Sequence, residues 1–351
     1  MGEINQDILD AIIRTQLDLY RLDAGTRKQV IEILLRMQAE LVSKLASNDL
    51  TVFNKRRLNQ LLGEAQQVIE QYYTMAEGQL AIDLHGAGKV TAISATNSLT
   101  QAITLDAKLP TETFFKALVS NILIQGAPAT EWWARQSMDT SFRFANAVRQ
   151  GLAQGETNAH IIARIVGKRG YPGIMEIARN SAAALVQTSV QSVANAARLE
   201  TFKKNTDIII RLRWLTALDG HVCPLCMARA DKEWTNTEDG THEPVGHAMP
   251  FENPPIHFND RCVLVPITKT YKELGLDIPE PKPGTRASSE GQVAADTTFA
   301  AYLKRRTVAE QDAQLGHGRA QLWRDGTITL QQLVNGQGRE LTLAELKVKY
   351  A

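Results

Sequence analysis

The residues best suited to bind a metal are concentrated in one stretch, from Trp214 to Cys262. This stretch holds all three cysteines of the protein and four of its seven histidines. These residues are Cys223, Cys226 and Cys262, with His221, His242, His247 and His257. Thiolate and imidazole are the usual ligands of structural zinc, so the clustering of two rare residue types makes zinc the first candidate metal.

The spacing of these residues predicts a closed zinc site. Cys223 and Cys226 form a Cys-x-x-Cys pair, which aims both sulfur atoms at one point about 2.3 Å from a metal. His257 and Cys262 can supply the second pair after a loop of 30 residues. Four protein ligands leave no open position, which favours a structural metal over a catalytic one. The loop has few large apolar residues and many prolines and glycines, so the metal would supply part of its folding energy.

Two other uses of the cysteines are open at this stage. Free cysteines of a cytosolic protein are often small buried core residues, and the histidines would then lie on the surface. A disulfide is disfavoured because the cysteine count is odd. The N-terminal sequence also lacks the basic start and apolar core of a signal peptide, which predicts a protein kept in a reducing cytoplasm.

The order of residues around the cysteines carries a resemblance to a known family. Its elements are Trp214, Asp219, the pair Cys223 and Cys226, Pro255, His257 and Cys262, preceded by a helix over 177–198 and a turn at 151–155. This arrangement resembles the minor head proteins of tailed bacteriophages, the group of phage Mu protein F, over about residues 140–270. One departure is Asp260, which stands where the family commonly has a cysteine. Asp260 is therefore the alternate fourth ligand.

The resemblance implies a function in the phage head. The expected protein is a non-enzymatic minor capsid component, stabilised by zinc, that assists head assembly or DNA packaging and delivery. Its expected partners are the portal protein, head shell or scaffold proteins and packaged DNA. It would lie in the head interior or portal region of the virion, and in the host cytoplasm during assembly.

The same residues support an enzymatic function less well than a structural metal site. A zinc deaminase needs His-x-Glu followed by Pro-Cys-x-x-Cys, and a metalloprotease needs His-Glu-x-x-His; neither occurs. The alternatives that stay open are a metal-dependent nuclease, with His221 or His257 as its base, and a nucleic-acid-binding zinc module.

Charge is distributed unevenly along a chain of 351 residues whose formal net charge is +1. Residues 164–213 hold nine Lys or Arg against three acids, whereas 217–280 hold five against eleven. Such separation suggests that the basic part can face DNA phosphates or an acidic partner. The residues expected to make such contacts are Lys203, Lys204, Arg211 and Arg213. No apolar run approaches the length of a membrane span.

The apolar periodicity predicts a mainly α protein with a small α+β zinc-knuckle lobe. The predicted segments are a helical N-terminal arm (1–100), a helical core (101–207), a small antiparallel sheet with the zinc site (208–272), a flexible linker (273–297) and a helical C-terminal appendage (298–351).

Local signals add detail to these segments. Two N-terminal helices are expected to meet in a turn at 23–25, and a third helix to run from Thr51 to about Leu84 and end at 85–88. Strands are expected near 208–215, 232–235 and 262–267. A last helix is expected over 299–315, followed by two similar units at 329–333 and 342–346. Asp219 is expected to accept backbone N–H groups in a turn.

Overall fold

Long helices form most of the protein, as the periodicity predicted. The structure is a computed structural model that describes residues 5–48, 55–277, 279 and 284–350. The first helices are α1 (Gln6–Ala46), α2 (Lys55–Ile103), α3 (Glu112–Asn121), α4 (Ala129–Ala153), α5 (Asn158–Val166), α6 (Ile174–Lys204) and the short α7 (Pro224–Arg229). The later helices are α8 (Phe299–Lys304), α9 (Val308–Leu315), α10 (His317–Arg324) and α11 (Leu343–Tyr350), with a 3-10 turn at Leu330–Leu333.

The strands are short and belong to four small sheets in the described residues. They are β1 (Leu123–Ile124), β2 (Ala127–Pro128), β3 (Gly167–Lys168), β4 (Tyr171–Pro172), β5 (Ile209–Leu215), β6 (Glu233–Thr235), β7 (Pro244–Val245), β8 (Val263–Thr268), β9 (Thr285–Ser288) and β10 (Gly291–Ala294). Three two-stranded hairpins accompany one four-stranded sheet of order β7-β6-β5-β8. All pairs in the four-stranded sheet are antiparallel, and its β5, β6 and β8 lie where strands were expected.

The expected turn at 23–25 is wrong, because α1 continues through it as one helix. Asp23 is buried and pairs with Arg27 one turn further on, at 3.0 Å. Thr26 donates a hydrogen bond from its hydroxyl to Asp83 of α2 at 2.8 Å. Polar residues at 23–26 suggested a turn in the sequence, but the structure buries Asp23 and Thr26 within α1, where each has a partner on α1 or α2.

The expected end of the third helix at 85–88 is also wrong, because α2 continues to Ile103. Its predicted start at Thr51 lies outside the described residues. Gly88 lies within the helix and faces α6, where a Cβ atom would come within 3.0 Å of Val193 Cγ1. The glycine that suggested a helix end serves instead for the close approach of two helices.

One apolar core includes residues from both of the first two predicted segments, 1–100 and 101–207. Buried apolar residues of α1 and α2 form one cluster with those of α4, α5 and α6. Trp133 and Phe144 of α4 lie in this cluster at 1% exposure each. The predicted segments 1–100 and 101–207 thus pack on one another, and whether the first folds independently stays a prediction.

The flexible linker expected at 273–297 is wrong where the structure describes its second half. Residues 285–294 form the hairpin of β9 and β10. Arg286 is buried and donates to the carbonyl of Thr216 at 2.6 Å, and Ser289 N–H donates to Leu218 O at 2.9 Å. The prolines at 281 and 283 lie outside the described residues. Hydrogen bonds to the residues that follow β5 hold this segment, and the spacing of apolar residues does not indicate such bonds.

The C-terminal segment is helical, with two differences from expectation. The helix expected over 299–315 is divided into α8 and α9, because Thr307 begins a new helix with a capping box to Glu310. The units expected at Thr329 and Thr342 are the 3-10 turn and α11. Buried leucines from both belong to the same apolar cluster as Trp214 and Trp234 of the sheet. The appendage therefore packs on the lobe that carries the cysteines.

Candidate metal centre

The first cysteine pair lies at the start of a short helix beyond the central strand. Cys223 is the N-cap of α7, with Pro224 at its first position, and Cys226 lies one turn into the helix. Proline fits the first helical position because that residue has no intrahelical N–H partner to lose. Cys226 is 2% exposed, whereas Cys223 is half-buried. One turn of helix thus places both sulfur atoms on the same side.

His257 meets this pair from the loop before β8. Its Nε2 atom lies 3.1 Å from Cys223 Sγ and 3.3 Å from Cys226 Sγ. Its Nδ1 atom lies 2.8 Å from the carbonyl oxygen of Phe258. A carbonyl can only accept, so Nδ1 carries a proton, and Nε2 is the ring nitrogen that faces the two sulfurs. This is the arrangement of a metal-binding histidine oriented by a backbone carbonyl.

Asp260 is buried beside the second cysteine and holds the loop in shape. Its Oδ2 atom accepts the Ile256 N–H at 2.9 Å, and its Oδ1 atom accepts the Cys262 N–H at 2.8 Å. Cys226 Sγ lies 3.5 Å from Oδ1. Both carboxylate oxygens therefore bond to backbone groups, which favours Cys262 over Asp260 as the fourth ligand.

The donor atoms form two overlapping groups that share Cys226. Cys223, Cys226 and His257 form one group, and Cys226, Asp260 and Cys262 form the other, with ligand atoms within 4.8 Å of one another in each. Zinc bond lengths and tetrahedral angles place ligand atoms about 3.5–3.8 Å apart. The separations from His257 to the two sulfurs, 3.1 and 3.3 Å, are somewhat shorter than this value, so these three donors could hold an ion of the size of zinc, with Cys262 grouped with Cys226 on the other side.

The protonation states of the cluster are strongly perturbed. The thiol of Cys226, with a smaller effect from His257, lowers the pKa of Cys223 to about 4, and hydrogen bonding to Cys223 raises the pKa of His257 to about 9. Burial raises the pKa of Cys262 to about 12, and the bonds to Cys223 and Cys262 raise that of Cys226. A single thiolate with an imidazolium is thus the stable charge pattern, and deprotonation of the other thiols requires a cation such as a metal.

Helix α6 holds the loop of the metal centre. Asn195 donates from its amide to the Cys262 carbonyl at 3.3 Å, and Thr188 accepts the Asn259 N–H on its hydroxyl at 3.1 Å. Phe258 packs edge-on against Trp132 of α4, with ring centroids 5.2 Å apart. Thr188 and Asn195 were missed at the sequence level. Their only signal was the abundance of small polar residues in this helix.

Asp219 links the turn after β5 to the end of the loop that carries His257. Asp219 accepts the His221 N–H at 2.9 Å, as predicted, and also binds Arg261 through two bonds of 2.7 and 2.8 Å. Burial opposes ionisation, but the bonds from Arg261 and His221 outweigh it and lower the pKa of Asp219. The partnership with Arg261 was not predicted, because nothing in the sequence places the two side chains together.

Trp214 and Pro255 make packing and hydrogen-bond contacts outside the group of donor atoms. Trp214 is fully buried in β5, opposite Leu264 of β8, and the Arg229 guanidinium lies 5.9 Å from its ring centroid. The Pro255 carbonyl accepts a hydrogen bond from the Gln125 side chain at 3.2 Å. Trp214 therefore packs inside the lobe, whereas Pro255 joins the lobe to the turn between β1 and β2.

Three of the four clustered histidines are not in the metal centre. His242 and His247 make ring-nitrogen bonds to the carbonyls of Thr235 and Glu233, at 2.8 and 2.9 Å. His221 is exposed at the turn beside Asp219. In the described residues, the donors that converge are the cysteines, His257 and Asp260.

The expected basic contact residues are partly neutralised within the lobe. Arg211 and Arg213 bind Glu233 of the neighbouring strand, at 3.2 and 2.5 Å. Lys204 lies 3.5 Å from Glu200 on the same helix, and Lys203 lies beside Gly240. The structure therefore gives both arginines a role in strand pairing, and their contact with DNA or a partner stays a prediction.

Comparison with known proteins gives one match. Residues 143–265 match the family model described as Phage Mu protein F like protein, about a third of the chain. The match begins in α4 and ends in β8, so it contains α6, the sheet strands β5 to β7 and the whole metal centre. Searches of curated proteins and of solved structures find no significant match. No helix in the described part of the chain has the length and apolar character that a membrane crossing requires.

Proposed function

We propose that this chain is a minor component of the phage head, because residues 143–265 match the family of phage Mu protein F-like proteins. The observation that carries the proposal is the family match over residues 143–265, which includes the metal centre and the helix that holds it. The proposed activity is non-enzymatic: the protein takes part in assembly of the head or in packaging and delivery of DNA.

The proposed metal is one structural zinc ion. Cys223, Cys226, His257 and Cys262 would hold it, and Asp260 would keep the loop in the geometry that presents two of them. The support is the two donor groups that share Cys226, each with ligand atoms within 4.8 Å of one another, the oriented His257 ring and the burial of Cys226 and Cys262. Zinc bound by four protein ligands supplies no open position, so it would act by holding the loop rather than by activating water.

The proposed role of the metal is to fix the lobe on the helical region. The loop from 256 to 262 carries one ligand pair and also bonds to α6 through Thr188 and Asn195. The cysteine pair lies at the start of α7, which connects β5 to β6 of the sheet. A metal that joins the two pairs therefore joins sheet, loop and helix α6, and would keep their outer surfaces in one arrangement for assembly.

The proposed partners are the portal, the head shell or scaffold, and packaged DNA. They come from the family and from the uneven charge of the chain, with nine bases against three acids in 164–213. Because Arg211 and Arg213 bind Glu233 and Lys204 binds Glu200, contacts with DNA phosphates would fall mainly on Lys203.

Two experiments test this proposal. Mass spectrometry of purified heads should find the protein in the virion, and phage lacking its gene should form defective or non-infectious heads. Normal, infectious heads without the protein would overturn the proposed role.

The second experiment addresses the enzymatic alternative. Purified protein incubated with plasmid DNA and Mg²⁺ or Mn²⁺ should leave the plasmid intact, and replacement of His221 should change nothing. Catalytic cleavage by the wild type, lost in a folded His221 or His257 variant, would establish a nuclease instead.

A further inference from the structure

The outer face of α4 is apolar where no other part of the described chain covers it. Met138 is 72% exposed and Phe142 is 66% exposed, although both are large apolar residues. They lie four positions apart, so they are neighbours on one side of the helix. The opposite side is buried in the helical core through Trp133, Phe144 and Val148. Exposed apolar patches on a folded surface mark sites of protein contact.

The residues around this pair continue in a regular stripe. The stripe consists of Glu131, Arg135, Met138, Phe142, Ala145 and Arg149. Successive members are four, three, four, three and four positions apart, which is the spacing of the seam in a two-helix coiled coil. All but Ala145 are exposed, and Ala145 is half-buried. The stripe spans about 27 Å at 1.5 Å per residue, the length of a short helix-to-helix contact.

The stripe is complementary to itself when reversed. In an antiparallel pair centred between Met138 and Phe142, each Met138 meets the Phe142 of the other copy. Each Glu131 then faces an Arg149, and each Arg135 faces the small Ala145, which leaves room for the long side chain. A parallel pair would instead place Glu131 against Glu131 and Arg149 against Arg149. Among the described residues, neither Glu131 nor Arg149 forms an ion pair within its own chain.

We propose that this face of α4 binds the same face of a second copy of the chain, as an antiparallel helix pair. The contact is isologous, since the same patch serves both partners. A single helix face buries less area than the about 1,200 Å² of a stable complex, so the dimer is weak and forms in the micromolar range or above. In any assembly that holds several copies close together, the effective concentration favours the contact.

Sedimentation velocity of the full-length protein from about 1 to 300 µM tests the proposal. We expect the weight-average sedimentation coefficient to rise with concentration toward the value of a dimer. Phe142→Ser should weaken the dimer at least about a hundredfold, because the ring is lost from both copies. Ile82→Ser is the matched control, since Ile82 is 70% exposed on α2 and outside the stripe. Far-ultraviolet circular dichroism checks that each variant is folded.

Charge exchange tests the orientation of the pair. Glu131→Arg alone and Arg149→Glu alone each place like charges at both ends of the dimer, and each should weaken it about tenfold. An equimolar mixture of the two variants restores both opposite-charge pairs, so it should dimerise as well as the wild type. The double variant should also recover.

Three results would overturn the proposal. The first is a wild-type protein that stays monomeric over the whole range. The second is a dimer that Phe142→Ser does not weaken more than Ile82→Ser does. The third is failure of the mixed single variants to associate better than either alone, which would exclude the antiparallel pairing even if a dimer exists.

Discussion

The helical region and the loop between β5 and β8 are ordered by different means. In the helical region, apolar residues recur along α1, α2, α4 and α6 and bury one another over long interfaces. In residues 216–262, regular structure is limited to the six residues of α7 and two short strands. This loop is held by the cysteine and histidine cluster, by the Asp260 carboxylate and by bonds from α6.

This difference determines how substitutions should lower the stability of each region. An interface made of many apolar contacts loses a part of its stability with each truncation. A segment whose ligands meet at one cluster loses that connection in a single step when the cluster is removed, while Met227 and Trp234 stay buried in the apolar core. The predictions that follow use one region as the control for the other.

The largest effect is expected for Cys226→Ser. Cys226 belongs to both donor groups and is buried, so its loss removes the ligand on which the two groups depend. We expect the free energy of unfolding to fall by more than about 4 kcal/mol and the metal content to fall to near zero. Cys223→Ser, at a half-buried position in one group, should cost less. Chemical denaturation and elemental analysis measure both, and equal costs for the two variants would argue against the shared role of Cys226.

A comparable cost in the helical region should leave the metal unaffected. Trp133→Ala removes a side chain that is 1% exposed in the core of α2, α4 and α6. We expect a loss of about 3–5 kcal/mol from the cavity and the lost apolar contacts. The folded variant should still bind zinc with the stoichiometry of the wild type. Loss of zinc in a folded Trp133→Ala protein would show that the two regions are not separable in this way.

An intermediate effect, dependent on pH, is expected at Asp23 in α1. Burial raises the pKa of Asp23 to about 6 in the folded protein, above its ordinary value of 3.8, despite the opposing effect of Arg27. The unfolded chain therefore loses this proton first as pH rises. The stabilising contribution is complete below pH 3.8 and is lost as pH passes through about 6.

Comparison with Asp23→Asn isolates this group. Between pH 4 and pH 7 the wild type should lose on the order of 2 kcal/mol relative to the variant, which does not titrate. Urea denaturation of both proteins across this range measures the difference. A difference that does not change with pH would show that Asp23 titrates normally.

The smallest effect is expected where α6 meets the loop. Thr188→Val removes the hydroxyl that accepts the Asn259 N–H at 3.1 Å. One hydrogen bond of this kind contributes about 1 kcal/mol. Hydrogen exchange should become faster in residues 256–262 and not in α2 or α4. Unchanged exchange in that loop would mean that the metal centre does not depend on α6.

The comparison also explains what the sequence could reveal. The helix expected over 177–198 lies within α6, and the strand expected near 208–215 corresponds to β5. Ligand spacing predicted that Cys223, Cys226 and His257 converge. Each of these signals is local, or depends on a residue type rare enough to stand out.

The sequence did not reveal side-chain contacts with residues on other elements or further along a loop. Gly88 suggested a helix end, but it serves the contact with Val193 of α6. Arg211 and Arg213 bind Glu233 of the next strand, a pairing that was not predicted, and their contact with DNA or a partner stays a prediction. Asp260, the alternate ligand, also accepts two backbone N–H groups of its own loop, which was not predicted, and its role as a ligand stays a prediction. Such partners are fixed only by the tertiary fold.

The central claim is that a metal at the cysteine and histidine cluster orders the loop between β5 and β8. The most direct measurement is elemental analysis of reduced, folded protein, followed by hydrogen exchange with and without a zinc chelator. We predict about one zinc per chain, and faster exchange after chelation within residues 216–262, with α2 and α4 unchanged. A folded, reduced protein that holds no metal and whose loop exchanges at the same rate with chelator would contradict the claim.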